Sequence, residues 1–139
     1  MSTRANIVFA FTILLLTASW DCSSGIQYKV RTYISNSLGP NNTLTIHCKS
    51  KDDDLGEHNL AFNENFTWHF RWDVWERTLF WCNMWWYDHH NLVAGSFEVY
   101  QARRDIDECS RRCYRRAQWD GVYFRLMNGT WYKRYDWER

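Results

Sequence analysis

Three groups of residues in this chain are of types that could do chemistry: five cysteines, a run of three aspartates and two adjacent histidines. Asp52, Asp53 and Asp54 invite a calcium loop, but the three are consecutive, whereas an EF-hand needs ligands at alternate positions. A turn in which an aspartate accepts backbone N–H bonds explains them better. His89 and His90 follow Asp88. Neighbours on an extended chain point apart, so the two are a poor metal pair and a solvated loop is the expected setting. His47 and His69 lie on the polar parity of strand-like runs, and no nucleophile motif accompanies them. The expectation is a protein that is not an enzyme, with no catalytic residue, no metal and no cofactor.

The cysteines point to export. The chain opens with Arg4 and an apolar run from Ile7 to Leu16, interrupted by Thr12. That is the length of a signal-peptide core and too short to span a bilayer. Small residues at Cys22, Ser23 and Ser24 suit a cut before Gly25, which makes residues 1–24 a signal peptide and residues 25–139 one secreted domain. The cut removes Cys22 and leaves Cys48, Cys82, Cys109 and Cys113, an even set that suits a disulfide framework. On an extended strand Cys109 and Cys113 would lie about 13 Å apart, beyond disulfide reach. A helical stretch would weaken that exclusion. Each would otherwise pair with Cys48 or Cys82, and the arrangement preferred is Cys48 with Cys113 and Cys82 with Cys109. No C-x₂-C knuckle is present to suggest zinc. Three sequons, at Asn41, Asn65 and Asn128, fit the same secretory route as glycosylation sites.

Positions that would hold such groups must come from strands. Apolar residues recur with a period near two, as in Tyr28, Val30 and Ile34, in Leu44, Ile46 and Cys48, and most clearly in Phe66, Trp68, Phe70 and Trp72. Further runs cover 78–84, 96–101, 121–126 and 130–135, one begins near Cys113, and a short one covers 60–62. Turn signals at 39–42, 54–56, 88–91, 120–121 and 128–129 separate them. Helical periodicity is poor. The fold class expected is all-β, a two-sheet antiparallel β-sandwich, with nine of the chain's ten tryptophans falling in residues 25–139 and supplying buried area to a small core.

Net charge is +1, unevenly placed. Asp52, Asp53, Asp54, Glu57 and Glu64 lie in the first half, whereas Arg103, Arg104, Arg111, Arg112, Arg115 and Arg116 crowd the second. Such a cluster can attract an acidic partner, or form a solvated surface balanced by Asp105, Asp107 and Glu108. Nothing resembles a nucleic-acid module, and export argues against one.

Five segments carry a resemblance: IHCKSKDDDLG from Ile46, TLFWC ending at Cys82, FEVYQARRD from Phe97, CSRRC from Cys109 and DGVY from Asp120. In this order they resemble the plant S-protein homologue family, whose best-known members are the stigma self-incompatibility proteins of poppy. The resemblance covers essentially the whole of residues 25–139. It implies a secreted β-sandwich of about eight strands with two disulfides, in which Cys48, Cys82, Cys109 and Cys113 match the family cysteines, Asp54 and Gly56 its acidic turn, and Gly121 the glycine of its late turn. The family usually places an aromatic two residues after the last cysteine and an aliphatic four after. Arg115 and Ala117 stand there, which leaves the facing of that strand open.

Two functions follow. The first, implied by the resemblance, is a monomeric signalling ligand that binds a cell-surface receptor protein through exposed loops, without nucleic acid and without membrane insertion once the signal is cut. Loops from Trp72 to Arg77 and from Trp85 to Asn91 mix charge with aromatics, and Asp73, Trp75, Glu76, Trp86, Asp88 and His89 are the candidate contacts. The second is a cell-wall polysaccharide-binding module in which Trp72, Trp75, Trp85 and Trp86 stack on sugars, aided by the arginines where the glycan is acidic.

Overall fold

A computed structural model describes residues 28–139. The signal-peptide cut and the fate of Cys22 lie outside the described residues. Nine strands form two sheets: β1 Lys29–Ser37, β2 Leu44–Lys49, β3 Asp54–Leu60, β4 Asn65–Arg71, β5 Leu79–Asp88, β6 Asn91–Gln101, β7 Arg112–Gln118, β8 Gly121–Arg125 and β9 Trp131–Tyr135. One sheet runs β4-β1-β7-β8-β9 and the other β3-β2-β5-β6. The pairs are antiparallel except β1 with β7, which are parallel. β7 can run alongside β1 because the chain has first crossed to the other sheet and returned, a long connection of the kind a parallel pair requires.

Strand period two sets the core. Val30, Thr32, Ile34 and Asn36 of β1 point inward, as do Leu44, Ile46 and Cys48 of β2. Aromatics fill the space between the sheets: Phe70 sits 4.9 Å from Phe80 and 4.7 Å from Tyr100, and Trp137, near the chain's end, meets Phe97 and Trp86 edge-on. Buried Asn36 is fully used. Its amide donates to the carbonyls of Asn42 and Leu60, and its oxygen accepts the Leu38 N–H. One side chain thereby holds the connection between β1 and β2.

A short helix, α1 Ala102–Glu108, follows β6 without a break. It was not legible as a helix because seven residues show too little periodicity, although Ala102, Ile106 and Cys109 recur at the i, i+4, i+7 spacing. Its cap is reciprocal: the Gln101 side chain accepts the Arg104 N–H and Asp105 Oδ2 accepts the Gln101 N–H.

The preferred disulfide arrangement is overturned. The bonds are Cys48–Cys82 and Cys109–Cys113, and Cys48–Cys113 and Cys82–Cys109 do not form. The exclusion of a Cys109–Cys113 bond assumed an extended chain. Here Cys109 caps α1 and Ser110 turns at φ 55°, so the chain folds back and the two Cα atoms lie 5.1 Å apart. Cys48 and Cys82 face each other across the β2–β5 ladder. Neither bond joins the two sheets.

Two expected turns also differ. Residues 54–56 begin β3 rather than forming the reversal, which lies at 51–53. The loop expected from Trp85 to Asn91 is mostly strand: β5 continues to Asp88, and the reversal is the two residues His89 and His90, both at positive φ, a two-residue hairpin of the primed kind.

Candidate functional site

At one end of the sandwich the β4–β5 connection, residues 72–78, faces the β2–β3 turn across a cleft of about 510 Å³. Lys51, Asp52 and Asp53 form one wall, Arg71, Asp73 and Arg77 the other, and Phe70, Phe80 and Trp81 lie beneath. The acidic wall is held by its own backbone: the Ser50 N–H donates to the Asp53 carbonyl and the Asp53 N–H to Ser50 Oγ. Beyond it Asp54 Oδ1 accepts the Gly56 N–H and pairs with His47, and these bonds hold its carboxyl below the usual range. An aspartate does accept a backbone N–H, as expected from the sequence, but it is the first residue of β3 rather than part of the reversal, with Gly56 at φ +80°. Among the described residues no three metal-ligating side chains gather at one point.

Asp73 organises the other wall. Its Oδ1 accepts the Trp75 N–H at 3.0 Å, and its Oδ2 accepts from Arg77 Nε at 3.1 Å. The first of these bonds depresses its pKa most. Trp72 is anchored at the base of the loop, stacked on Tyr28 at 5.3 Å. Held at both ends, the loop projects Val74 and Trp75, which are 67% and 71% exposed. Glu76, at φ 52°, closes the turn and reaches Arg103 at 4.0 Å.

Of the candidate contacts, Asp73, Trp75 and Glu76 therefore come together. Asp88 and His89 lie at the far end of β5, ten residues or about 33 Å away. There His89 Nδ1 meets Asp88 Oδ1 at 2.8 Å, with the imidazole exposed, and Arg139 reaches Asp88 at 3.5 Å. Trp86 is not a contact. It is 1% exposed, because it occupies an inward position of β5 and packs on Trp137. Nor do Trp72, Trp75, Trp85 and Trp86 form one sugar platform: Trp85 and Trp86 point to opposite faces of the same strand, and the other two belong to the opposite end of the molecule. The sequons fall at exposed residues: Asn41 in the β1–β2 connection, Asn65 at the start of edge strand β4 and Asn128 in the β8–β9 turn.

The arginine cluster divides. Arg104 and Arg115 turn inward to Asp105, which is wholly buried: Arg104 Nη2 lies 2.8 Å from Oδ2 and Arg115 Nη2 3.0 Å from Oδ1. Arg115 also donates to the Val99 carbonyl and lies 3.7 Å over the Phe124 ring. Burial pushes the Arg115 pKa down, and the Asp105 charge opposes that shift. The open question of which way β7 faces is answered by this pair. Arg115 and Ala117 both point into the core, and Arg115 fills an apolar position by bringing a partner and an aromatic floor. Arg112 and Arg116 point the other way, onto the outer face of the five-stranded sheet. Tyr114 of the same strand lies with them, and Arg31, Tyr33, Arg125 and Trp131 join them there from other strands, a grouping that no single stretch of sequence displays.

The model of the plant self-incompatibility protein S1 family matches residues 31–137, nearly all of the folded chain. The chain belongs to this family. It is 34% identical over 121 residues to S-protein homolog 24 of Arabidopsis thaliana, covering 81% of this chain and 78% of that one. It is 32% identical over 114 residues to self-incompatibility protein S1 of Papaver rhoeas, covering 81% and 80%. S-protein homolog 5 of Arabidopsis thaliana is 42% identical over 106 residues, covering 76% and 79%. A solved structure of a self-incompatibility protein homologue, at 23% identity and a TM-score of 0.63, shares the fold over 80% of this chain and 96% of that one. Its family is described as small, highly stable, secreted proteins from plants. Membership bears out the resemblance carried by its cysteine and HCKSKDDDLG segments.

Proposed function

We propose that this S1-family protein is a secreted signalling ligand that docks a cell-surface receptor through the 72–78 loop. The reading rests on one observation: an exposed tryptophan projects from a loop that Asp73 ties down at both ends, beside a cleft with charged walls. A rigid aromatic loses little entropy on binding and is the residue type most enriched among binding hot spots. The lining carboxylates and guanidinium groups supply polar complementarity around it. The notable feature of the second loop, His89 at the β5–β6 hairpin, lies at the other end and is not part of this surface. A ligand role also fits the poppy relative, which is named a self-incompatibility protein. Replacing Trp75 with Ala should leave circular dichroism unchanged and weaken binding to target cells by about 2 kcal/mol. Parent-like binding by that variant would remove the loop from the contact surface.

A further inference from the structure

The outer face of the five-stranded sheet is built from cations and flat rings. In register across three strands stand His69 of β4, Arg31 of β1 and Arg112 of β7. In the next row Tyr33 and Tyr114 stack at 4.6 Å, and the Arg125 guanidinium lies 5.3 Å over Tyr114. Beyond them Arg116, opposite Ser35 and Tyr123, lies 4.1 Å over the ring of Trp131. None of Arg31, Arg112, Arg116 and Arg125 has a carboxylate within ion-pair distance among the described residues. Asp120 and Asp136 sit at the far margin and pair with Lys133.

Like charges placed directly opposite on neighbouring strands destabilise a sheet. Arg31 and Arg112 are so placed, and among the described residues neither has a carboxylate partner. A guanidinium held over a ring keeps its N–H fork in plane and available for a carboxylate. The face therefore holds preset carboxylate receptors over a broad, flat surface.

We infer that this face binds a linear acidic polysaccharide, a polymer of uronic acid residues bearing one carboxylate per ring. Repeated carboxylates match repeated guanidinium groups, and tyrosine hydroxyls and ring faces suit sugar hydroxyls and ring C–H groups. An anionic membrane is the weaker fit. The large exposed apolar residues, among them Val74, Trp75, Leu92 and Met127, lie on loops or on other surfaces, so no apolar wedge accompanies the charge. The inference is independent of the receptor loop, which lies on a connection at the sandwich end.

The test uses the secreted, oxidised protein with polygalacturonate, its fully methyl-esterified form and phosphatidylserine vesicles as probes. Polygalacturonate should bind and release steeply as salt rises, because the contacts are exposed charges. The esterified polymer and the vesicles should bind at least tenfold more weakly. The double variant Arg31→Gln with Arg112→Gln should lose at least tenfold in polygalacturonate affinity while its melting temperature stays level or rises, since a repulsion has been removed. Arg103→Glu, a charge change on α1 away from the face, should bind as the parent does. Equal binding of the esterified polymer, preference for vesicles, or parent-like affinity of the double variant would each overturn the inference. The parent's three-probe comparison decides it even where a variant fails to be secreted.

Discussion

Arg115 occupies a place where an apolar side chain would ordinarily stand, and its tolerance depends on one carboxylate. Asp105 receives both Arg104 and Arg115 while accepting the Gln101 N–H at the start of α1. Removing one member of a buried pair leaves the other charge without compensation. Asp105→Ala is accordingly expected to cost about 3–5 kcal/mol in chemical denaturation, where an exposed aspartate such as Asp107 should cost within about 0.5 kcal/mol. A loss under about 1 kcal/mol at Asp105 would show that Arg115 reaches water without it. At the same scale Gly121 has a reason that is not conformational. A Cβ there would meet the Tyr135 carbonyl at 2.2 Å, so Gly121→Ala must push β9 away from β8.

Among the elements, the 72–78 loop has a built-in pH response. Asp73 has a folded pKa below its ordinary value, lowered first by the Trp75 N–H and also by Arg77. A depressed carboxylate contributes order that is fully present above the unfolded pKa and is lost as pH falls through the lower folded value. The loop should therefore keep its shape at neutral pH and loosen only in acid, below the usual aspartate range, while the sheets persist. Amide exchange at Trp75 followed against pH checks this. Exchange that accelerates on going from pH 5 to pH 8 beyond the intrinsic base-catalysed rate contradicts it. The two disulfides also differ as elements. Cys48–Cys82 spans 34 positions and Cys109–Cys113 spans 4. Chain-entropy arguments give about 4 kcal/mol for the first and about 2 kcal/mol for the second. The Cys48→Ser, Cys82→Ser double variant should thus lower secretion yield and melting temperature more than Cys109→Ser with Cys113→Ser. The reverse order would mean that the turn after α1, which also positions Arg112 and Arg115, matters more than loop closure.

At the scale of the whole molecule the charges are sorted by the fold. One stretch from Arg103 to Arg116 sends Arg104 and Arg115 to a buried carboxylate and Arg112 and Arg116 to an open face. Because β1 and β7 are parallel neighbours, Arg31 joins that face from 81 positions earlier in the chain. The loops are sorted as well: Trp75 and His89 belong to opposite ends because one strand runs straight between them. A single receptor contact cannot easily span both, so Trp75→Ala and His89→Ala should not be equivalent in a binding assay.

Much of this protein was legible before folding. Period-two alternation gave the strands and their inward residues, since a pleated strand must send alternate side chains to opposite faces. The cysteine and HCKSKDDDLG segments pointed to the family, and the aspartate run to a carboxylate that accepts a backbone N–H, at Asp54. Local chemistry sufficed for these because each depends on residues within a few positions of one another. The disulfide pairing, the inward Arg115, the burial of Trp86 and the outer basic face were decided only by tertiary structure. A positive φ at Ser110 closed the Cys109–Cys113 bond, Trp137 covered Trp86, and Asp105 made an interior site for Arg115. Each depends on what a distant segment places opposite, and strand order across a sheet is set by packing the whole chain rather than by any stretch of it.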